Sequence, residues 1–412
     1  MRSRRYVWVV PVVVMVLDLY VFQAIKAVSQ AASPRVRSMI YIGFWLVSIL
    51  AILIICFLPY LYRRFRWIQG YAFSILIGFY LSKVMTGVFL LLDDCRRMIQ
   101  WIAGRLLASG PAPVAPTDGI SRSVFMSWLG IGLGVVLYAS LLYGFSNKYR
   151  YRVRRVRLAF DNLPASFRGL RIIQLSDIHS GSLHDPIAVR RGVDMALAEK
   201  PDLILFTGDL VNNIAPEVGE YQAIFGGLEA PMGVYSTLGN HDYGDYSGWE
   251  NAEAKKANLD QLMRIQKEMG WRLLMNEHVV LDRGGEQIAL IGIENWSAKA
   301  RFPKYGKLDE AYAGVQKYPF KILMSHDPSH WDAQVRKEYP DIDLTLSGHT
   351  HGMQFGLELP GFKWSPVRYI YKQWAGLYEE GGQKLYVNRG FGFIGYPGRV
   401  GIMPEITVIE LA

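Results

Sequence analysis

The sequence predicts an α/β protein in two parts: an N-terminal transmembrane region of about four helices with a basic linker, residues 1–157, and a layered strand-and-helix domain, residues 158–412. Three observations carry that reading. Four apolar stretches, each near or beyond the ~20 residues that cross a hydrocarbon core, all fall before residue 157. Beyond it, short β-rich runs alternate with helical ones, as in α/β folds. Charge divides at the same place: there are 20 Lys and Arg against 4 Asp and Glu through Arg157, and 25 against 32 afterwards.

The apolar stretches are "YVWVVPVVVMVLDLYVFQAI" (6–25), "IYIGFWLVSILAILIICFLPYLY" (40–62), "YAFSILIGFYLSKVMTGVFLLL" (71–92) and "FMSWLGIGLGVVLYASLLYGF" (125–145). The first follows "MRSRR" as a signal peptide would, but its run is longer than a signal core, carries Asp18 and precedes further spans, so an anchor is expected. Asp18 and Lys83 fall at membrane depth, where mutual neutralisation or snorkelling is expected. Arg2, Arg4, Arg5, Arg63, Arg64, Arg66 and the basic residues of 148–157 place twelve cations on one side against seven on the other. By the positive-inside rule, the N-terminus and the domain after the fourth span then face the cytoplasm. The segment "DDCRRMIQWIAGRLL" (93–107) reads as an interfacial amphipathic helix on the opposite side; a different span count would turn the domain outward. Membrane lipids are expected partners.

In the second part, "LRIIQLSDIH" (170–179), "PDLILFTGDL" (201–210), "GVYSTLGNHD" (233–242), "RLLMNEHVVL" (272–281), "QIALIGIEN" (287–295), "FKILMSHDP" (320–328), "IDLTLSGHTH" (342–351) and "KLYVNRGFG" (384–392) each read as a strand ending in polar or glycine residues. "PIAVRRGVDMALAEK" (186–200) and "WENAEAKKANLDQLMRIQKEMG" (249–270) have helical spacing. The acidic balance of this half gives no basic footprint for nucleic acid, and no nucleic-acid partner is expected. Both cysteines, Cys56 and Cys95, precede it, so neither a disulfide framework nor a thiolate zinc site is available there.

The chemistry gathers at strand ends. Asp177 and His179 lie in "SDIHSG", Asp209 in "TGDL", Asn240 and His241 in "LGNHD", His326 in "SHDP", and His349 and His351 in "SGHTHG". All eight histidines lie beyond residue 157, and five of them are in these motifs. In Asp-x-His or His-x-His on extended backbone, alternate side chains share a side and can meet one ion or two neighbouring ions. Carboxylate, amide oxygen and imidazole together suit manganese, iron or zinc, and magnesium less well. The contiguous "SHD" of 325–327 suggests a hydrolase triad, but adjacent strand residues point apart, which argues against one.

These five blocks, in this order, resemble the calcineurin-like metallophosphoesterase superfamily, whose pattern is D-x-H, G-D, G-N-H-[D/E], a lone His and G-H-x-H. The resemblance covers the second half only, and its closing stretch "NRGFG…PGRVGIMPEITVIEL" is similar to a membrane-associated bacterial branch. It implies a calcineurin-like αββα layered domain in a multi-pass protein of a bacterial inner membrane. It further implies that Asp177, His179 and His351 hold one divalent ion, that Asn240, His326 and His349 hold a second, and that Asp209 bridges them. The implied reaction is hydrolysis of a phosphate mono-, di- or pyrophosphate ester by a hydroxide between the two ions. His241 is implied beside the leaving group, with Asp242 accepting its other ring proton. Arg389 or Arg399 either binds substrate phosphate or pairs with a carboxylate. The sequence departs from the family at Asn212, where a carboxylate is common, and at Met353, where glycine is.

Four spans exceed what an anchor needs, so the expected substrate is an amphiphilic phosphate or pyrophosphate ester such as a lipid-linked nucleotide sugar. The alternatives are a non-enzymatic membrane sensor or scaffold with a structural metal site, and a nuclease.

Overall fold

The computed structural model describes residues 9–61, 66–107 and 121–412 and divides into two compact units, Met1–Tyr143 and Gly144–Ala412. Arg2, Arg4, Arg5, Arg63 and Arg64, which contribute to the predicted orientation, lie outside the described residues. The first unit contains α1 (Val9–Val28), α2 (Pro34–Leu61), α3 (Arg66–Leu107) and most of α4 (Arg122–Gly144), and each helix holds a stretch long and apolar enough to cross a membrane. Residues 93–107, expected as a separate interfacial helix, instead continue α3. Its 42 residues make it about 63 Å long, roughly twice the hydrocarbon thickness. The reason is local: Asp93 pairs with Arg96 and Asp94 with Arg97 at i,i+3, so the charged segment stays helical.

Asp18 and Lys83 neutralise each other, the expected outcome that the structure bears out. Lys83 Nζ donates to Asp18 Oδ1 and, at 2.8 Å, to Ser48 Oγ, and it lies 4.1 Å from the centroid of the Phe79 ring. Both charged residues are buried.

The second unit begins before residue 158, because the run read as a basic linker is strand β1 (Arg152–Leu158). Among the described residues it pairs with one neighbour, in parallel with the last strand, so its arginines occupy an exposed edge while Leu158 is buried. β2 (Arg171–Leu175), β3 (Leu203–Phe206), β4 (Val234–Ser236), β5 (Arg272–Leu273), β6 (Glu277–Arg283), β7 (Glu286–Gly292), β8 (Lys321–Met324) and β9 (Leu344–Ser347) follow. The chain then forms a separate hairpin of β10 (Leu357–Leu359) and β11 (Phe362–Trp364), before β12 (Gly376–Glu380), β13 (Gln383–Val387) and β14 (Glu405–Leu411). The two large sheets run β1-β14-β2-β3-β4-β5 and β12-β13-β9-β8-β7-β6. "RLLMNEHVVL" is thus two strands in different sheets, with Asn276 at φ 58° where the chain turns between them.

Side-chain alternation produces the layers. Ile172, Leu203 and Leu205 join Leu290, Ile322 and Leu346 in the core between the sheets, whereas Ile173, Ile204 and Phe206 face outward. That outer face is covered by α5 (Pro186–Ala198), α6 (Tyr221–Phe225) and α7 (Ala252–Glu268), through Val189, Val193, Ile224, Leu262 and Ile265. The predicted helices start where capping allows: Asp185 accepts from Ala188 N with Pro186 in the first turn, and Asn251 accepts from Ala254 N. The opposite face of the second sheet carries its own cluster around Trp331. The expected αββα arrangement is the observed one. β2, β3 and β4 run parallel in one sheet, as do β8 and β9 in the other, so their carboxyl ends collect at shared edges.

Removing one partner of a buried ion pair strands the other, at a cost of about 3–5 kcal/mol. Asp18→Ala is therefore expected to lower the melting temperature of the detergent-solubilised protein sharply, while Asp18→Leu with Lys83→Leu recovers most of the loss.

Candidate metal centre

Each candidate ligand follows the end of a parallel strand: Asp177 and His179 follow β2, Asp209 follows β3, Asn240 follows β4, His326 follows β8, and His349 and His351 follow β9. The turns that carry them are tight. Asp177 (φ 52°), His179 (49°), Asp209 (61°), His349 (70°) and His351 (49°) are all left-handed, and they are five of the nine non-glycine residues with positive φ among the described residues. Each such residue costs about 1–2 kcal/mol, and such strain collects at functional sites. Two glycines let the turns approach: a Cβ on Gly239 would collide with Asp209, and one on Gly348 with Ser176 and Asp177.

The side chains converge in two groups, Asp177 with His179 and His351, and Asp209 with His326 and His349. His179 Nε2 lies 3.0 Å from His351 Nε2, which is 3.2 Å from Asp177 Oδ1. In the second group His326 Nε2 lies 3.1 Å from Asp209 Oδ2 and 3.3 Å from His349 Nδ1. Asp209 joins the groups, since the same Oδ2 is 3.6 Å from His179 Nε2 while Oδ1 accepts the His241 amide at 2.9 Å. Asn240 Oδ1 is buried without a hydrogen-bond partner among the described residues, although its Nδ2 donates to Tyr246 Oη at 2.9 Å. A buried carbonyl oxygen held this way, beside imidazole lone pairs that would otherwise repel, is a donor set fitted to cations.

Other groups fix the ligand rings. His326 Nδ1 lies 2.7 Å from the Thr207 carbonyl, which leaves Nε2 for a metal. His349 Nε2 lies 2.8 Å from Tyr371 Oη, which donates to Asp327 at 3.1 Å. Burial drives His179 and His349 below the ordinary imidazole range, so both are neutral. Burial opposes protonation of His326 too, yet Asp209 pushes it up to about 10.

Three predicted roles are corrected. Asp242 does not touch the His241 ring; its carboxylate accepts from the backbone amides of Asp209, Leu210, Val211 and Gly239 and so holds the Asp209 turn. Burial and neighbouring Asp209 push Asp242 up to about 7. The partner of His241 Nδ1 is the Asn212 carbonyl, at 2.6 Å, so the unusual side chain at 212 leaves that contact intact. Arg389 and Arg399 are not free for phosphate. Arg389 is buried between Glu405 (2.6 Å) and Glu358 (2.7 Å), and Arg399 is spent on the carbonyls of Arg389, Gly390 and Gly392, with His351 Nδ1 at 3.3 Å. Together they brace the "NRGFG" loop behind His351.

Sequence reasoning missed Tyr371, which carries no motif, and Asp327, which stood inside the "SHD" set aside as a triad. It also missed Arg301, which with Phe302, Ile370 and Tyr371 lines the pocket of about 220 Å³ over the ligands.

Such a fold and ligand set define a metal-dependent hydrolase, and comparison with known proteins specifies the class. The family described as "Calcineurin-like phosphoesterase" matches residues 170–353, and "Probable Calcineurin-like phosphoesterase, transmembrane domain" matches residues 4–148. A "Transmembrane protein with metallophosphoesterase domain" of Danio rerio is 30% identical over 84% of this chain and 74% of its own length. The "Uncharacterized metallophosphoesterase YkuE" of Bacillus subtilis is 31% identical over 60% of this chain and 81% of its own. The "Phosphodiesterase YaeI" of Escherichia coli is 28% identical over 63% and 88%. The chain belongs to the calcineurin-like metallophosphoesterases: it is a membrane protein with a metal-dependent phosphoesterase domain.

Glu405→Gln leaves buried Arg389 with Glu358 as its remaining carboxylate partner and is expected to cost about 1.5–3 kcal/mol in thermal or urea unfolding. Asp242→Ala releases the Asp209 turn and is expected to lower both stability and bound metal, read by melting and by elemental analysis of the same sample.

Proposed function

We propose that the protein is a membrane-anchored phosphoesterase that uses two divalent cations side by side on a mono-, di- or pyrophosphate ester with an amphiphilic remainder. The observation that carries the reading is the position of Asp209 Oδ2 between the two ligand groups, 3.6 Å from His179 and 3.1 Å from His326. Asp177, His179 and His351 would hold one cation, Asn240, His326 and His349 the other, and Asp209 both. The imidazole-rich set favours manganese, iron or zinc. When bound, such a pair supplies Lewis-acid polarisation of the phosphoryl oxygens and a more acidic water.

The chain's own residues supply positioning and proton handling. With His241 Nδ1 held at the Asn212 carbonyl, its Nε2 is the atom from which a proton passes to the leaving oxygen. The Arg301 guanidinium on the pocket wall is placed to neutralise phosphoryl charge. Phe302, Ile370 and Tyr371 line the same pocket and limit water around the reacting group.

The excess of basic residues around the spans supports a cytoplasmic second unit, at the inner membrane in a bacterium. Four candidate spans support a substrate that shares the bilayer. A purely structural metal site would tolerate loss of a ligand, and every position of the pattern is filled. The acidic balance of the second half weighs against a nuclease.

Asp209→Asn is expected to abolish hydrolysis of an aryl phosphodiester or monoester by the detergent-solubilised protein and to deplete its metal. His241→Ala is expected to slow turnover by roughly 10²–10⁴ with both metals retained; metal loss in that variant, or no turnover of any ester by the parent with any divalent ion, overturns the reading. A reporter fused after Ala412 is expected to be active only in the cytoplasm.

A further inference from the structure

The β10–β11 hairpin is built inside out. Its pairs are Leu357 with Trp364, Glu358 with Lys363 and Leu359 with Phe362. Since side chains alternate, the apolar pairs share one face and the charged pair the other. A hairpin resting on its own domain turns the apolar face inward. Here Glu358 faces in, where it meets buried Arg389 at 2.7 Å, while Leu357, Leu359 and Phe362 are 46%, 55% and 51% exposed. From Gly144 onward nine large apolar side chains are exposed, and six of them fall between Met353 and Ile370, whereas apolar exposure elsewhere in this unit is isolated.

Cations and aromatic rings border this patch. Trp364 Nε1 reaches Tyr369 Oη at 3.4 Å, which joins the hairpin to the turn that follows. Lys363, Arg368, Lys372, Tyr369, Ile370 and Trp374 line a pocket of about 490 Å³ there. Arg368 has no carboxylate partner among the described residues, Lys363 donates to the Ala375 carbonyl, and Lys372 pairs with Glu380 and Asp332. Ile370 also lines the pocket over the metal ligands, as does Met353, so the two pockets are neighbours.

We propose that the outer face of this hairpin, with the adjoining 366–370 turn and its basic pocket, docks on the headgroup region of an anionic bilayer and presents a phosphate ester from that surface to the metal centre. Exposed aliphatic and aromatic side chains next to cations, of which Arg368 has no carboxylate partner among the described residues, are the composition that binds such an interface. A bilayer is also always within reach, because the second unit begins at Gly144, inside the fourth candidate span. The substrate class this implies, a lipid-borne phosphate ester, rests on the phosphoesterase reading above; the docking itself does not.

The test separates the two. Full-length protein with Cys56→Ser and Cys95→Ser, carrying either Leu359→Cys or Phe362→Cys, is labelled with a fluorophore and placed in nanodiscs of phosphatidylcholine with or without phosphatidylglycerol. Nitroxide lipids are expected to quench both labels, more strongly with phosphatidylglycerol, and to leave a label at exposed Ile187 bright. In parallel, Leu359→Ser with Phe362→Ser, and separately Arg368→Glu, are expected to lower turnover of a phosphatidic acid substrate at least tenfold relative to a soluble aryl phosphate. Labels at 359 and 362 no more quenched than that at 187 overturn the docking, even if soluble esters are cleaved. Quenching without turnover of any ester upholds the docking and removes the phosphoesterase reading. Labels shielded from lipid but shifted by added protein partner or by self-association also overturn it, in favour of a protein interface.

Discussion

The metal centre depends on one constraint: strands from two stacked sheets must end at the same edge and reverse abruptly there. The sheets supply the edge, because β2, β3, β4, β8 and β9 run parallel within their own sheets. The turns supply the aim, because five ligand candidates adopt left-handed backbone that their side chains disfavour. Neither is sufficient alone. Ordinary turns at the same strand ends would direct the imidazoles along the strands, and the same turns on antiparallel strands would scatter them to opposite edges.

That strain persists only where the surroundings over-determine it. Asp242 ties four backbone amides around the Asp209 turn, and Asp177 accepts the His349 amide at 2.9 Å, so one ligand pins the backbone of another. Arg399 gathers three carbonyls of the loop behind His351, and Arg389 locks that loop to Glu405. Much of the charge near the centre therefore serves rigidity. A ligand set held this firmly loses little entropy when cations arrive, which is the benefit of preorganisation.

The ligands were legible because their spacing is dictated by what they must do: a strand end, a glycine and a histidine leave a signature in a single chain. The supporting residues were not, for physical reasons. An arginine in "NRGFG" reads the same whether it meets phosphate or Glu405, and only the fold brings Glu405 and Glu358 to it. Asp242 follows His241 directly and invited pairing with it, yet adjacent side chains diverge, and the carboxylate turned to amides more than thirty positions away in "GDLV". Strand β1 reads as linker in the sequence because an edge strand needs burial on few of its positions, and five arginines within ten residues resemble a topology signal more than a sheet. Tyr371 has no local signal at all; its role exists only through the distance to His349.

The imidazoles show what the cations replace. Burial alone would push the Asp177 and Asp209 carboxyls up, yet the imidazoles beside them, His351 at Asp177 and His326 at Asp209, hold both below the usual carboxylate range, and Asp209 in turn pushes His326 up to about 10 although burial opposes its protonation. His179 and His349, equally buried but less closely opposed to Asp209, stay neutral. One protonated ring among neutral ones is a partial compensation: it balances a single carboxylate and leaves Asn240 Oδ1 unsatisfied and two ring nitrogens 3.0 Å apart. Divalent cations held by these residues would supply the positive charge that both carboxylates and the carbonyl oxygen are placed to receive. The same polar interior that is costly to bury would thereby favour multivalent positive charge over any single side-chain cation.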